Sequence, residues 1–430
     1  LIIIDTALKQ REEENNPITV GMIGAGYMGR GIALQILTAV PGMRLVAISN
    51  RTVARAEKAY EQGGVDSVNH VESVTQLEDS IKKGGHAVTD DPFLLCEAEG
   101  IDAIIEVTGE IEFGAHVIQS AIKHGKHVIL MNAELDATIG PILKKQADQQ
   151  GVIYTNADGD QPGVIMNLYR YVKSIGLKPV LNGNIKGLQD PYRTPETQKA
   201  FAEMHKQEPR MVTSFADGSK ISMEMAVVAN ATGFKVGKRG MFGYECGHVN
   251  DALDLYDLEK YKDTGIVDYV LGAQPPAGIF VVGYQDNPLQ QQYLNYYKLG
   301  DGPFYVFYTP FHICHFEAPL TVARAVHFKD AAIAPISEPV VDVITAAKRD
   351  LKAGEMLDYI GGFTCYGMAE NSDVTQKEKL LPMGLAEGCR LKHDLPKDAV
   401  ITYEDIEVPE GRLCDQLRQE QIKTFFDSGR

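Results

Sequence analysis

Six charged side chains stand where chemistry could be built from them. Asp158 and Asp160 flank Gly159 in "NADGDQPG", so an extended turn can aim both carboxylates into a cleft. With Glu134 they supply hard oxygen ligands of the kind that Mg2+ or Mn2+ takes. A helix cap is the competing reading, because Asp160 precedes Gln-Pro-Gly and an apolar helical run. Lys186 ends "LNGNIK" and Lys220 lies in "ADGSKISMEM", each close to a glycine-containing turn. A substrate bearing a phosphate or carboxylate needs one or two such cations, although an isolated lysine usually faces solvent. Lys235, Lys238 and Arg239 add further cations in "FKVGKRG". Glu224 and Asn230 share a predicted helix with Ser222 and nearly align on one face, either lining a cleft or forming the helix's wet side. Asp160, Lys186, Lys220 and Glu224 are the candidate catalytic groups, and Glu134, Asp158 and Asp160 the candidate metal ligands.

The element that would hold a redox partner for these groups lies nearer the start. Residues 18–23 read as a buried parallel strand and lead into Gly24-Ala25-Gly26-Tyr27-Met28-Gly29 and a helix with small residues on its packing side. Gly24 permits the tight turn, Gly26 lets the backbone approach a pyrophosphate, and Gly29 lets helix and strand pack closely. The helix start then offers free N–H groups to the phosphates. A second strand, Leu45 to Ser49, follows at the spacing that a dinucleotide-binding βαβ unit requires. Its end decides which dinucleotide. A carboxylate there would accept the ribose hydroxyls and repel a 2′-phosphate. Ser49, Asn50, Arg51 and Thr52 are donors instead, with Arg55 one turn on, and they favour NADPH.

Two further apolar strands, Ala103 to Val107 and His127 to Met131, end at Thr108-Gly109-Glu110 and Asn132-Ala133-Glu134. In an open α/β sheet the ligand crevice lies beyond such C-terminal ends, so Thr108, Gly109 and Asn132 join the cofactor set.

"GMIGAGYMG", "AIIEVTG", "GKHVILMN", "NADGDQPGVIMNL" and "LNGN" together resemble the homoserine dehydrogenase and related semialdehyde dehydrogenase families. Those families usually carry Asn-Lys where this chain has Asn132-Ala133, which tells against ordinary homoserine dehydrogenase activity.

Length and composition set the wider frame. A chain of 430 residues implies two or three domains, and no run of eighteen apolar residues offers a membrane span. A net charge of −16 tells against nucleic acid as a partner. The six scattered cysteines include no CxxC pair and fit a reducing cytoplasm. The opening "LIIIDTALKQREEENN" reads as a strand or helix packed on the first domain and not as a signal peptide. Alternating aromatic and β-branched residues between 261 and 335 point to strands. His312 and His315 with Glu317 invite a metal reading, but on a strand the two histidines would face opposite ways.

The tail, in "RDLKAGE" and "DLPKDAVIT", resembles the SAF family, a small β-rich module. Three parts are therefore expected in an α/β fold: a Rossmann-like parallel-sheet domain over 1–155, an α+β substrate domain over 156–336 and a small β-rich SAF-like C-terminal domain over 337–430. Over nearly its whole length the chain resembles the 1-deoxy-D-xylulose 5-phosphate reductoisomerase-like enzymes, the second class of that activity. The resemblance implies an NADPH-dependent conversion of that ketose phosphate to 2-C-methyl-D-erythritol 4-phosphate, assisted by Mg2+ or Mn2+. Lys186 or Lys220 would then hold the phosphate or an oxyanion, and Glu224 could join the metal ligands. A small phosphorylated sugar would be the partner, with no nucleic acid and no membrane, in a homodimer. Another NADPH-dependent dehydrogenase or redox isomerase of a sugar acid or semialdehyde is the alternative, and a non-enzymatic NADPH sensor or assembly protein a third.

Overall fold

The computed structural model describes residues 3–427, which divide into two compact units. The first runs to Gly163 and adds Ile313–Ala334 and Gln416–Gln421. It opens with α1 (Ile4–Glu13), a helix that buries Ile4, Ala7 and Leu8. Seven parallel strands follow: β1 (Ile18–Ile23), β2 (Met43–Ser49), β3 (Asn69–His70), β4 (Ala87–Thr89), β5 (Ala103–Glu106), β6 (His127–Leu130) and β7 (Tyr154–Asn156). Their order, β3-β4-β2-β1-β5-β6-β7, reverses direction between β1 and β5. That reversal opens a crevice at the strand ends, where the glycine turn and Thr108 were expected to meet a ligand. The connections include α2 (Tyr27–Ala39), α3 (Val53–Gln62), α4 (Val74–Lys82), α5 (Pro92–Glu97), α6 (Ile111–Lys123) and α7 (Ala133–Gln150). Helices on the faces bury the strands, which is why β5 and β6 are wholly buried.

The sequence expects strand character through "HICHFEAP", but Cys314–Ala323 is a helix. Its Ala318, Val322 and Ala323 are buried in the same core as Val20, Met22 and Ile105. Burial on one helical face outweighs the aromatic and β-branched propensity of the stretch.

Helix α7 contains Pro141, which lacks an N–H and crowds the preceding turn. Gln421 lies across that turn. Its Oε1 accepts from Ile142 N at 3.1 Å, and its Nε2 donates to Thr138 O at 3.4 Å. In an unbroken helix those two backbone groups would pair with each other. Arg418, fully buried, donates Nη1 to the same Thr138 carbonyl at 3.2 Å.

The second unit holds residues 164–312 and 335–415 and the residues from Ile422 onward. After α8 (Gln161–Ser174) comes β8 (Lys178–Lys186), then α9 (Pro195–His205), α10 (Pro209–Ala216) and α11 (Ser219–Thr232). With β9 (Tyr244–Glu245), β10 (Ile266–Leu271), β11 (Gly278–Tyr284) and β12 (Phe304–Thr309), β8 forms a five-stranded mixed sheet in the order β12-β11-β8-β10-β9. β10 runs parallel to β8, whereas β11 runs antiparallel to it. One face of this sheet carries Leu181 and Ile185 into an apolar cluster with Phe280 and Val270. Alternation along β8 then turns Asn182, Asn184 and Lys186 to the other face.

The tail contributes two small antiparallel pairs: β13 (Val341–Ala347) with β14 (Cys365–Asn371), and β15 (Arg390–Leu391) with β16 (Ile406–Glu407). Helix α11 packs on β13 and β14. Lys348, just after β13, lies 2.8 Å from Asp217 Oδ2 and donates to Arg193 O and Gly362 O. With all three donors of the ammonium answered, this buried lysine is a structural brace.

Candidate active site

The glycine turn has the geometry its sequence demands. Gly24 has φ +110°, and a Cβ at Gly29 would stand 2.4 Å from the Gly24 carbonyl. A Cβ at Gly26 would meet nothing within 4 Å, so the turn leaves room there for a pyrophosphate. Tyr27 is exposed and Met28 half-buried at the start of α2. Asn50 is committed to the loop: its Oδ1 accepts from Ala25 N at 3.0 Å and its Nδ2 donates to Thr52 O at 2.8 Å. Ser49 is buried. The donors left facing outward at the end of β2 are Arg51, Thr52 and Arg55, fewer than the sequence reading counts.

At the ends of β5 and β6 a buried carboxylate that sequence reasoning missed joins the two expected cofactor turns. Glu106 accepts from Thr108 N at 2.8 Å, from the Thr108 hydroxyl, and from Asn132 Nδ2 at 2.9 Å. Burial pushes its carboxyl above the usual range, and the Thr108 and Asn132 bonds oppose that rise. Gly109 takes φ +74° in the turn between them. Asn132 caps α7 through Leu135 N at 3.1 Å. Two residues past Glu134, Asp136 is wholly buried and accepts from Tyr154 OH at 2.6 Å. Burial raises its carboxyl to about 6.

The acidic turn lies against the helix Cys314–Ala323. Asp158 Oδ1 accepts from Gly159 N at 2.9 Å, Asp158 N donates to Thr321 Oγ1 at 2.6 Å, and Arg324 Nη1 lies 3.6 Å from Asp158 Oδ2. Asp160 stands directly ahead of α8, with its Oδ1 3.8 Å from Cys314 Sγ. The metal reading puts Glu134, Asp158 and Asp160 on one ion. Among the described residues neither Glu134 nor Asp158 belongs to any group of three side chains close enough to share an ion. Asp158 is answered by a guanidinium of the chain itself.

Glu317 shares this turn, since a Cβ on Gly159 would lie 2.8 Å from the Glu317 Cβ. Burial first, and the neighbouring Asp158 charge second, raise its carboxyl to about 7. A carboxyl that titrates near neutrality can both give and take a proton. The sequence reading named Glu317 only as a metal candidate beside His312 and His315. His315 instead packs at Gly31 of α2, where a Cβ would approach its ring to 2.9 Å.

In the second unit, two of the catalytic candidates meet. Glu224, 1% exposed, accepts from Asn184 Nδ2 at 3.0 Å and lies 3.5 Å from Lys186 Nζ. Lys220 occupies the first turn of α11 and is 9% exposed, so it is not the solvent-facing lysine of the plainer reading. Neither a cleft lining nor a wet face describes Ser222 and Asn230. Ser222 Oγ donates to Gly367 O, and Asn230 Oδ1 accepts from Val340 N and Val341 N. The remaining cations are engaged elsewhere: Arg239 is 2.6 Å from both Glu370 and Glu378, Lys235 is 3.5 Å from Asp373, and Lys238 lies over the Phe242 ring.

Residues 18–131 match a family model described as an oxidoreductase family with an NAD-binding Rossmann fold. Residues 159–318 match one described as the catalytic domain of the oxidoreductase DRL. A homoserine dehydrogenase of Methylobacillus glycogenes is 23% identical over 261 residues, 58% of each chain. That of Corynebacterium glutamicum is 37% identical over 65 residues, 15% of each. The chain thus spans little more than half the length of the first of these relatives. Among solved structures, a probable dehydrogenase from Thermotoga maritima gives a TM-score of 0.43 at 12% identity, covering 74% of this chain and 91% of that one. The scyllo-inositol dehydrogenase from Lactobacillus casei gives 0.36 at 16%, covering 62% and 73%. No helix among the described residues is long and apolar enough to cross a membrane. Residues 18–131 are thus similar to an NAD-binding Rossmann segment and residues 159–318 to the catalytic domain of an oxidoreductase.

Proposed function

We propose that the chain is an NADPH-dependent dehydrogenase or redox isomerase that reduces the carbonyl of a small sugar-derived or semialdehyde substrate. The observation that carries this reading is Glu224, a buried carboxylate bound by Asn184 and Lys186, in a catalytic-domain segment that follows a dinucleotide-binding one. Gly24, Gly26 and Gly29 with the start of α2 would seat the pyrophosphate, and Arg51 and Thr52 the 2′-phosphate. NADPH supplies, when bound, the hydride for a carbonyl carbon. Lys186 and Lys220 stabilise negative charge on the substrate, whether a phosphate or the oxygen of the reacting carbonyl. Glu224 holds Lys186 in place, and Glu317 of the first unit can give or take a proton near neutrality. The tail holds α11 through Val340 N and Val341 N, which donate to Asn230, and holds Asp217 ahead of that helix through Lys348.

A second reading rests on the resemblance of the whole chain alone. It is the reductive isomerisation of 1-deoxy-D-xylulose 5-phosphate to 2-C-methyl-D-erythritol 4-phosphate. Purified protein is assayed for NADPH oxidation with that ketose phosphate, aspartate semialdehyde and a panel of keto-sugars, with and without a chelator. Oxidation with a semialdehyde or keto-sugar supports the first reading, and oxidation confined to 1-deoxyxylulose phosphate the second. A rate that falls with chelator supports the metal reading, and an unchanged rate overturns it. Absence of oxidation across the panel overturns both and leaves an NADPH-sensing or assembly role, whose homodimeric state is read by light scattering.

A further inference from the structure

Glu106 ends β5 with its side chain inside the protein, 0% exposed, where a carboxylate is costly unless its oxygens are answered. Both are answered, and from two different turns. Oε1 takes Thr108 N at 2.8 Å and the Thr108 hydroxyl, and Oε2 takes Asn132 Nδ2 at 2.9 Å. Asn132 is itself 0% exposed and cannot invert its amide. Its Oδ1 is held by Leu135 N at 3.1 Å, and its Nδ2 also reaches Glu110 O at 3.1 Å. Helix α6 passes over the pair at Gly114, where a Cβ would stand 2.7 Å from Leu135 Cδ1 and 3.3 Å from Asn132 Nδ2. The carboxylate is thus an acceptor-only link between the turn after β5 and the residue that caps α7.

We propose that Glu106 is a positioning residue that fixes the Thr108–Gly109 turn and Asn132 at the nicotinamide end of the cofactor. The inference rests on the NADPH reading, because those two turns are its nicotinamide contacts. Glutamine at 106 keeps one oxygen for Thr108 but sets its NH2 against the NH2 of Asn132. An aspartate at 132 turns that second meeting back into a donor–acceptor pair and still offers an oxygen to Leu135 N.

Titration calorimetry compares the full chain with Glu106→Gln and with Glu106→Gln/Asn132→Asp, using NADPH and 2′,5′-ADP, which lacks the nicotinamide half. For Glu106→Gln the NADPH Kd is expected to rise about tenfold while the 2′,5′-ADP Kd stays within twofold, and the double variant should recover part of the loss. An unchanged NADPH Kd overturns the proposal. So does equal weakening of both ligands, or a Glu106→Gln chain that fails to fold and is not rescued by Asn132→Asp, since either marks Glu106 as merely structural. A wild-type chain that binds neither ligand overturns the NADPH reading itself.

Discussion

Glu224 Oε2 lies 3.5 Å from Lys186 Nζ, with side-chain exposures of 2% and 17%. Lys186→Met withdraws a cation from a buried carboxylate and should cost about 2 kcal/mol in urea unfolding. That is less than the ~3–5 kcal/mol of a wholly buried pair, because Lys186 keeps some water. Adding Glu224→Gln should return most of that loss, whereas NADPH-dependent turnover should stay down at least ~100-fold in both variants. A Lys186→Met enzyme at full activity would remove Lys186 from the site.

Glu317, with its carboxyl raised to about 7, sets a pH dependence whose sign is fixed. The folded protein holds this proton more tightly than the unfolded chain does. The stability it contributes is therefore complete below the ordinary glutamate value of 4.5 and is lost as pH rises through about 7. Partial exposure limits the effect to about 1 kcal/mol. Glu317→Gln should flatten the unfolding free energy between those pH values, and the same substitution should remove an alkaline fall in the rate of carbonyl reduction. Identical pH profiles for the two proteins would refute this role.

Arg51 is exposed at the end of β2, beside an Asn50 already tied to the glycine loop. Arg51→Ala should raise the KM for NADPH about 10- to 100-fold, the loss of one charge-assisted contact, and leave that for NADH nearly unchanged. Equal effects on the two cofactors would mean that the guanidinium does not read the 2′-phosphate.

Two glycines of one turn should separate fold from binding. Gly29→Ala drives a Cβ to 2.4 Å from the Gly24 carbonyl, so it should lower thermal stability by about 1–3 kcal/mol. Gly26→Ala meets no protein atom within 4 Å and keeps an allowed backbone at φ −72°. It should melt like the wild type while binding NADPH at least tenfold more weakly. Calorimetric melting and cofactor titration on the same samples check both.

Much of this was legible in the residues because the first unit repeats a local grammar. Apolar runs such as "HVIL" and "AIIE" can only be buried strands, and glycines at fixed offsets can only be the turn between strand and helix. What escaped depends on partners far along the chain. Glu106 looks like the polar end of a strand until Asn132 arrives 26 residues later. The pairing of Asp158 with Arg324 was hidden because Arg324 lies in a stretch read as strand. Ser222 and Asn230 looked like solvent or cleft residues because their hydrogen-bond partners come from β13 and β14 and the residue before β13. Asn50 reads as a cofactor donor in the sequence, whereas in the structure its Nδ2 donates to Thr52 O and its Oδ1 accepts from Ala25 N of the glycine loop.

The placement of Gln421 has a consequence for synthesis on the ribosome. Ile142 N waits for a side chain 279 positions further on, and the first unit also takes up Ile313–Ala334. Domains near the N-terminus usually fold as soon as they emerge. Here the Rossmann sheet leaves the exit tunnel with a break in α7 that nothing nearby can close, and the second unit must be translated in between. The first unit therefore starts to form before the second and is completed only after it.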